Sequence, residues 1–173
     1  MEKISLLELK LVGISTQTNN RDEMDVDKAK IGSTMQQYFQ SNIINNVSNR
    51  VKPGITYCVY TDYESDEHGN YTYFIGEQVS SFNNITINDN SNGVCELNTL
   101  IVPSNTYQRF TTETGPIPTI IINAWHKIWH MTPAQLKGKR NYIADFEVYD
   151  SRAQDVNNAT VDIYIGIQDI NDM

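Results

Sequence analysis

The chain is short of the features that would assign it to several large classes at once. It has two cysteines, Cys58 and Cys95, with no CxxC pair and no histidine cluster near either. A zinc-ribbon or disulfide framework is therefore excluded, and both read as small buried hydrophobes. It has no run of the ~18 apolar residues that a membrane span needs. The first apolar stretch, in MEKISLLELKLVG, is cut by Glu8 and Lys10 before it reaches the length of a signal-peptide core. The expectation is a cytoplasmic protein. Positive charge is also scarce: 13 Lys and Arg stand against 21 Asp and Glu, a net charge of −8, with no basic run. A face that grips phosphates needs the opposite balance, so direct nucleic-acid binding is not expected. No GxSxG, P-loop or GxGxxG segment is present, and no cofactor is expected.

What is present is a repeat. Residues 55–79, ITYCVYTDYESDEHGNYTYFIGEQV, and residues 142–168, YIADFEVYDSRAQDVNNATVDIYIGIQ, share a layout. Each has an aromatic strand ending in Val-Tyr, a polar turn, and a second alternating strand ending in Ile-Gly. Tyr60 to Gly76 is 16 residues and Tyr149 to Gly166 is 17, so one insertion aligns Tyr60 with Tyr149 and Gly76 with Gly166.

The preceding segments match too. Residues 7–18 read as a strand, followed by a helix over 27–43 with Ile31, Met35, Phe39 and Ile43 at four-residue spacing. Residues 97–113 read as extended structure kinked at Pro103. A helix over about 117–131 follows, with Ile121, Trp125, Ile128 and Trp129 on one face. Each half is thus strand, helix, hairpin. Two such halves bury far more surface together than apart. The expected fold is α+β: a tandem β-α-β-β repeat with pseudo-two-fold symmetry, an antiparallel sheet and two main helices. One domain covers 1–173, with repeat one at about 7–79, an Asn/Ser-rich linker at about 83–93, and repeat two at about 97–168.

Strand alternation places Ile143, Asp145, Glu147 and Tyr149 on one face. The repeat alignment sets Cys58 and Tyr60 where the second half has Glu147 and Tyr149. A carboxylate inside a strand otherwise suited to burial has two readings. Either Glu147 lies on an exposed, solvated face, or it forms the floor of an aromatic-lined cleft that attracts a cation. Strand parity does not decide between them. His126 and His130, four apart on a helix, have metal-pair spacing but no third ligand nearby, so no metal is expected. The acidic string Asp62, Glu64, Asp66, Glu67 reads as a solvated hairpin loop.

The succession PSNTYQRFTTETGPIP, AWHKIW, RNYIADFEVYD and VDIYIGI resembles the GyrI-like, AraC-type effector-binding domain family, over about residues 7–168. The resemblance implies a small-molecule-binding domain of the kind found at the ends of bacterial transcription activators and as free-standing proteins. Few residues precede the first strand here, so the free-standing type is expected. It also implies that Glu147, within FEVY, meets flat cationic ligands at the base of an aromatic cleft. Tyr60, Tyr149, Trp125, Trp129 and Tyr107 are the candidate walls. Some free-standing members hydrolyse reactive natural products, which would make Glu147 a general acid or base. Others contact a protein partner such as DNA gyrase.

Overall fold

The computed structural model describes residues 1–83 and 97–168. The linker at about 83–93 therefore lies, apart from its first residue, outside the described residues, and so does Cys95. The described strands, β1 (Glu2–Leu6), β2 (Leu9–Asn19), β3 (Thr56–Thr61), β4 (Asn70–Gln78), β5 (Asn98–Val102), β6 (Asn105–Thr111), β7 (Lys139–Arg140), β8 (Ala144–Tyr149) and β9 (Asp162–Gln168), form one antiparallel sheet. The main helices are α2 (Ile31–Ser41) and α3 (Thr119–Trp129), with single turns at α1 (Asn20–Glu23) and α4 (Pro133–Leu136). Among the described residues no helix is long and apolar enough to cross a membrane.

The strand order, β1-β6-β9-β8-β3-β4-β2-β5, reads symmetrically outward from its centre. Each repeat contributes three strands with the second strand of its hairpin in the middle (β2-β4-β3 and β6-β9-β8), and each leads with a strand that crosses to the other repeat: β1 pairs with β6, and β5 with β2. The fold is the expected α+β tandem repeat. The short leading strand β1 was not foreseen, because five residues with two charges carry too little pattern to stand out. The kink at Pro103 is where β5 ends and β6 begins.

The central ladder fixes the symmetry axis. In β3–β8, Cys58 lies opposite Glu147, flanked by Thr56–Tyr149 and Tyr60–Asp145. Exchanging the two strands carries Cys58 to Glu147 and Tyr60 to Tyr149, as the repeat alignment requires. The glycine alignment needs correction. Cys58 pairs with Ile75 and Glu147 with Ile163, so Gly76 corresponds to Tyr164, and Gly166 lies two residues further along. The second hairpin is the shorter one between equivalent positions, and the two Ile-Gly endings coincide by accident. Their jobs differ as well. Gly76 faces Gly13 across β2–β4, where an added Cβ would lie 2.2 Å from the Val12 carbonyl oxygen. Gly166 donates its N–H to Asp145 Oδ1 at 2.8 Å.

The helices pack on one face of the sheet. From α2, Tyr38 (1% exposed) packs with Val12, Ile14, Cys58, Tyr73 and Ile75. From α3, Ile121, Trp125 and Ile128 pack with Val161, Ile163, Ile165 and Ile167. Phe39, expected in the α2 stripe, is instead 55% exposed. A four-residue step overshoots a turn by about 40°, so two steps beyond Ile31 the stripe has drifted, and Tyr38 takes the inward position. The opposite face buries Val59, Phe74, Tyr107 and Phe146 with Leu11 and Val102. Residues of β1 and β5, from both ends of the strand order, join that cluster, so the sheet curls around its own second core.

Candidate functional site

Strands β3 and β8 and helix α3 converge on Glu147. It follows Phe146, which is buried in the opposite core, so the pleat turns Glu147 towards the helices. The carboxylate is 1% exposed. Tyr60 donates its hydroxyl to Oε1 at 2.8 Å, Trp125 its indole N–H to Oε1 at 2.7 Å, and Tyr149 its hydroxyl to Oε2 at 2.7 Å. All three donors are neutral. No ion pair among the described residues reaches Glu147. Burial raises its pKa above the ordinary 4.5, and the hydrogen bonds from Trp125, Tyr149 and Tyr60 oppose that rise.

The exposed-face reading of Glu147 is thereby excluded. The carboxylate opens onto a cavity of about 680 Å³ between α2 and α3, over the central strands. Tyr60 and Tyr149, symmetry-related, belong to the hydrophobic clusters under both helices and bridge them across the cavity floor. Tyr71 and Tyr73 of β4 extend the wall on one side, and Trp125 and Trp129 of α3 form the other. The two indoles are 6.0 Å apart, and Tyr60 meets the Trp125 ring edge-on at 5.1 Å. The volume lies within the ~300–1,000 Å³ range of small-molecule sites.

Most of the expected site residues meet here: Glu147, Tyr149, Tyr60, Trp125 and Trp129 all line the cavity. Tyr107 does not. It is 1% exposed and packs against Phe146 and Tyr164 on the opposite face. The YxxF pattern located its strand but not its face, and parity sends odd-numbered β6 positions to the second core. His126 borders the cavity beside Trp129, while His130 turns its Nδ1–H onto the carbonyl of His126 at 2.7 Å.

Three features were not anticipated. Trp125 is a hydrogen-bond donor to the carboxylate as well as a wall. Tyr71 and Tyr73 share the face of Tyr60, which alternation along NYTYF could have shown. A second polar centre lies beside the first: Asp145, fully buried, accepts from Arg140 Nη2 at 2.6 Å and from the Tyr63 hydroxyl at 2.9 Å. Burial, the largest single influence, would lower the Arg140 pKa, but Asp145 together with Tyr63 and Tyr142 more than offsets it and holds the guanidinium charged. Burial, reinforced by the Glu147 charge, pushes up the thiol pKa of Cys58, opposite Glu147, and so disfavours its reactive thiolate form.

The family model described as integron-associated effector binding protein (Cass2) matches residues 5–167. A putative transcriptional regulator of Bacillus subtilis (strain 168), YobU, is 28% identical over 166 residues, covering 95% of this chain and 96% of that protein. The integron cassette protein VCH_CASS2, from the mobile metagenome of Vibrio cholerae, superposes with a TM-score of 0.71 at 25% identity, covering 96% of this chain and 95% of that one. The structure of SAV2435 bound to tetraphenylphosphonium shares the fold, with a TM-score of 0.68 at 19% identity and coverage of 96% and 93%. The family model spans the chain nearly end to end, and the chain belongs to the integron-associated effector binding protein family.

Proposed function

We propose that the cavity binds small, flat or amphipathic aromatic cations, with Glu147 as counter-charge. The observation that carries this reading is the contrast between neighbouring carboxylates on β8. Asp145 is buried and has Arg140; Glu147 is as deeply buried and has only neutral donors. Burying a charge is costly unless an opposite charge compensates it. The cavity leaves room for that charge to come from outside. Aromatic faces around it add about 0.5–2 kcal/mol each to a desolvated cation. Tetraphenylphosphonium, the cation held by SAV2435 on the same fold, is the natural probe. At 100 times its dissociation constant it should stabilise the protein by about 2.7 kcal/mol in a thermal-shift assay. No shift with any aromatic cation would overturn the reading.

Both tryptophans of the chain line the cavity. Tetraphenylphosphonium should therefore quench the intrinsic fluorescence, and Trp125→Phe should remove most of that signal. Trp129→Phe alone should leave the larger part.

Cation binding requires an ionised Glu147, so affinity should fall as pH drops through its folded-state pKa. That value lies above 4.5, so the loss should begin at higher pH than for a solvated carboxylate. The stability linkage has the matching sign. The charged form is disfavoured by folding, so the penalty is absent below about 4.5 and grows as pH rises through the folded value. Trp125→Phe removes a donor that lowers the Glu147 pKa and should move the binding midpoint to higher pH. A midpoint that stays put, in titrations at stepped pH, would mean that Glu147 does not govern the profile.

A further inference from the structure

We propose that Arg140 sets the charge capacity of the cavity, restricting it to ligands that bring one positive charge. The inference rests on the cavity being a cation site and concerns which cations it accepts. Asp145 and Glu147 occupy alternate positions of β8 on the same face, about 7 Å apart along the strand. Each is buried and takes a tyrosine hydroxyl, Tyr63 for Asp145 and Tyr60 for Glu147. The Asp145 centre already holds a flat cation. The Arg140 guanidinium sits over the Tyr142 ring at 4.4 Å and donates Nη2 to Asp145 at 2.6 Å. Its side chain is 9% exposed, and it lines the same cavity. Among the described residues its remaining nitrogens, Nε and Nη1, make no hydrogen bond, although Glu67 Oε2 lies 3.5 Å from Nη1 as an ion pair. The chain thus carries a tethered occupant in a niche built like the one around Glu147.

The two other carboxylates lining the cavity, Glu23 and Glu67, are only half-buried, so water compensates their charge as it cannot for Glu147. Glu23 accepts from the Thr18 hydroxyl and from the backbone N–H groups of Lys30 and Ile31, holding the start of α2. Glu67 accepts from the Tyr142 hydroxyl. A ligand with a second positive charge at the far end of a rigid aromatic body would meet the guanidinium, and Asp145 would be unavailable to it.

The test compares two flat, nearly isosteric probes, 1-methyl-4-phenylpyridinium with one charge and methyl viologen with two. Titrations of the wild type, Arg140→Met and the double variant Arg140→Met/Asp145→Asn give the affinity ratio for each. Arg140→Met exposes Asp145 and removes a repulsion, so its ratio should shift towards methyl viologen by about tenfold or more, as expected for a unit charge at this range in partly shielded surroundings. The double variant removes both charges and should shift far less. If Arg140→Met is too unstable to titrate, methyl viologen should raise its melting temperature more than the monocation does. Equal ratios in wild type and Arg140→Met would overturn the proposal, as would an equal shift in the double variant or a failure of methyl viologen to rescue an unstable single variant. Binding of 1-methyl-4-phenylpyridinium with an unchanged ratio sinks only this inference; a wild type that binds no aromatic cation sinks the site reading with it.

Discussion

Glu147→Gln is expected to weaken tetraphenylphosphonium binding by about tenfold or more, because one desolvated charged contact is worth about 1.5–3 kcal/mol. Triphenylphosphine oxide, neutral and similar in shape, should lose much less. The amide keeps the local geometry. Its oxygen can still accept from Trp125 and Tyr60, and its NH₂ can donate to the Tyr149 hydroxyl in place of the acceptor it removes. Folding stability should therefore change by no more than about 1 kcal/mol. The change should favour the variant at neutral pH if anything, since a buried charge has gone. Isothermal titration of both ligands against both proteins decides the matter. Equal losses for cation and neutral probe would show that Glu147 shapes the cavity without supplying its charge.

Asp145→Ala should do the reverse, with a large cost in stability. Removing one partner of a buried ion pair typically costs about 3–5 kcal/mol, because the other charge is left uncompensated. Here the substitution strands the Arg140 guanidinium, the Tyr63 hydroxyl and the Gly166 N–H together. In a chain of this size each kcal/mol lowers the melting temperature by about 2–4 °C. Urea unfolding of Asp145→Ala beside Glu147→Gln measures the contrast directly. If both variants cost the same, the distinction between a carboxylate compensated from within and one awaiting an external cation collapses.

The two carboxylates sit two residues apart on one strand, yet their sequence contexts scarcely distinguish them. Both alternate with the buried residues Ala144 and Phe146, and parity gives them the same face. Arg140 precedes Asp145 by five residues in a two-residue strand, with no pattern to announce the pairing. Trp125 belonged to a visible helical stripe, but its indole N–H finds Glu147 only because α3 is laid across β8 at the right height.

The amino-acid sequence by itself determined the repeat, both main helices, the alternation that put Glu147 and Tyr149 on one face, and the equivalence of Cys58 with Glu147 at the axis. Each is a local property, carried by spacings of two, three or four residues or by comparing one half of the chain with the other. Only the tertiary structure decided that this face is covered, that Tyr107 serves the opposite core, and that the Ile-Gly endings are two residues out of register. It also decided which carboxylate has a cation of its own. These outcomes depend on strand pairing and helix placement between residues as far apart as Tyr60 and Glu147, 87 positions away. A side-chain period specifies which residues share a face, but not what the folded chain will set against that face.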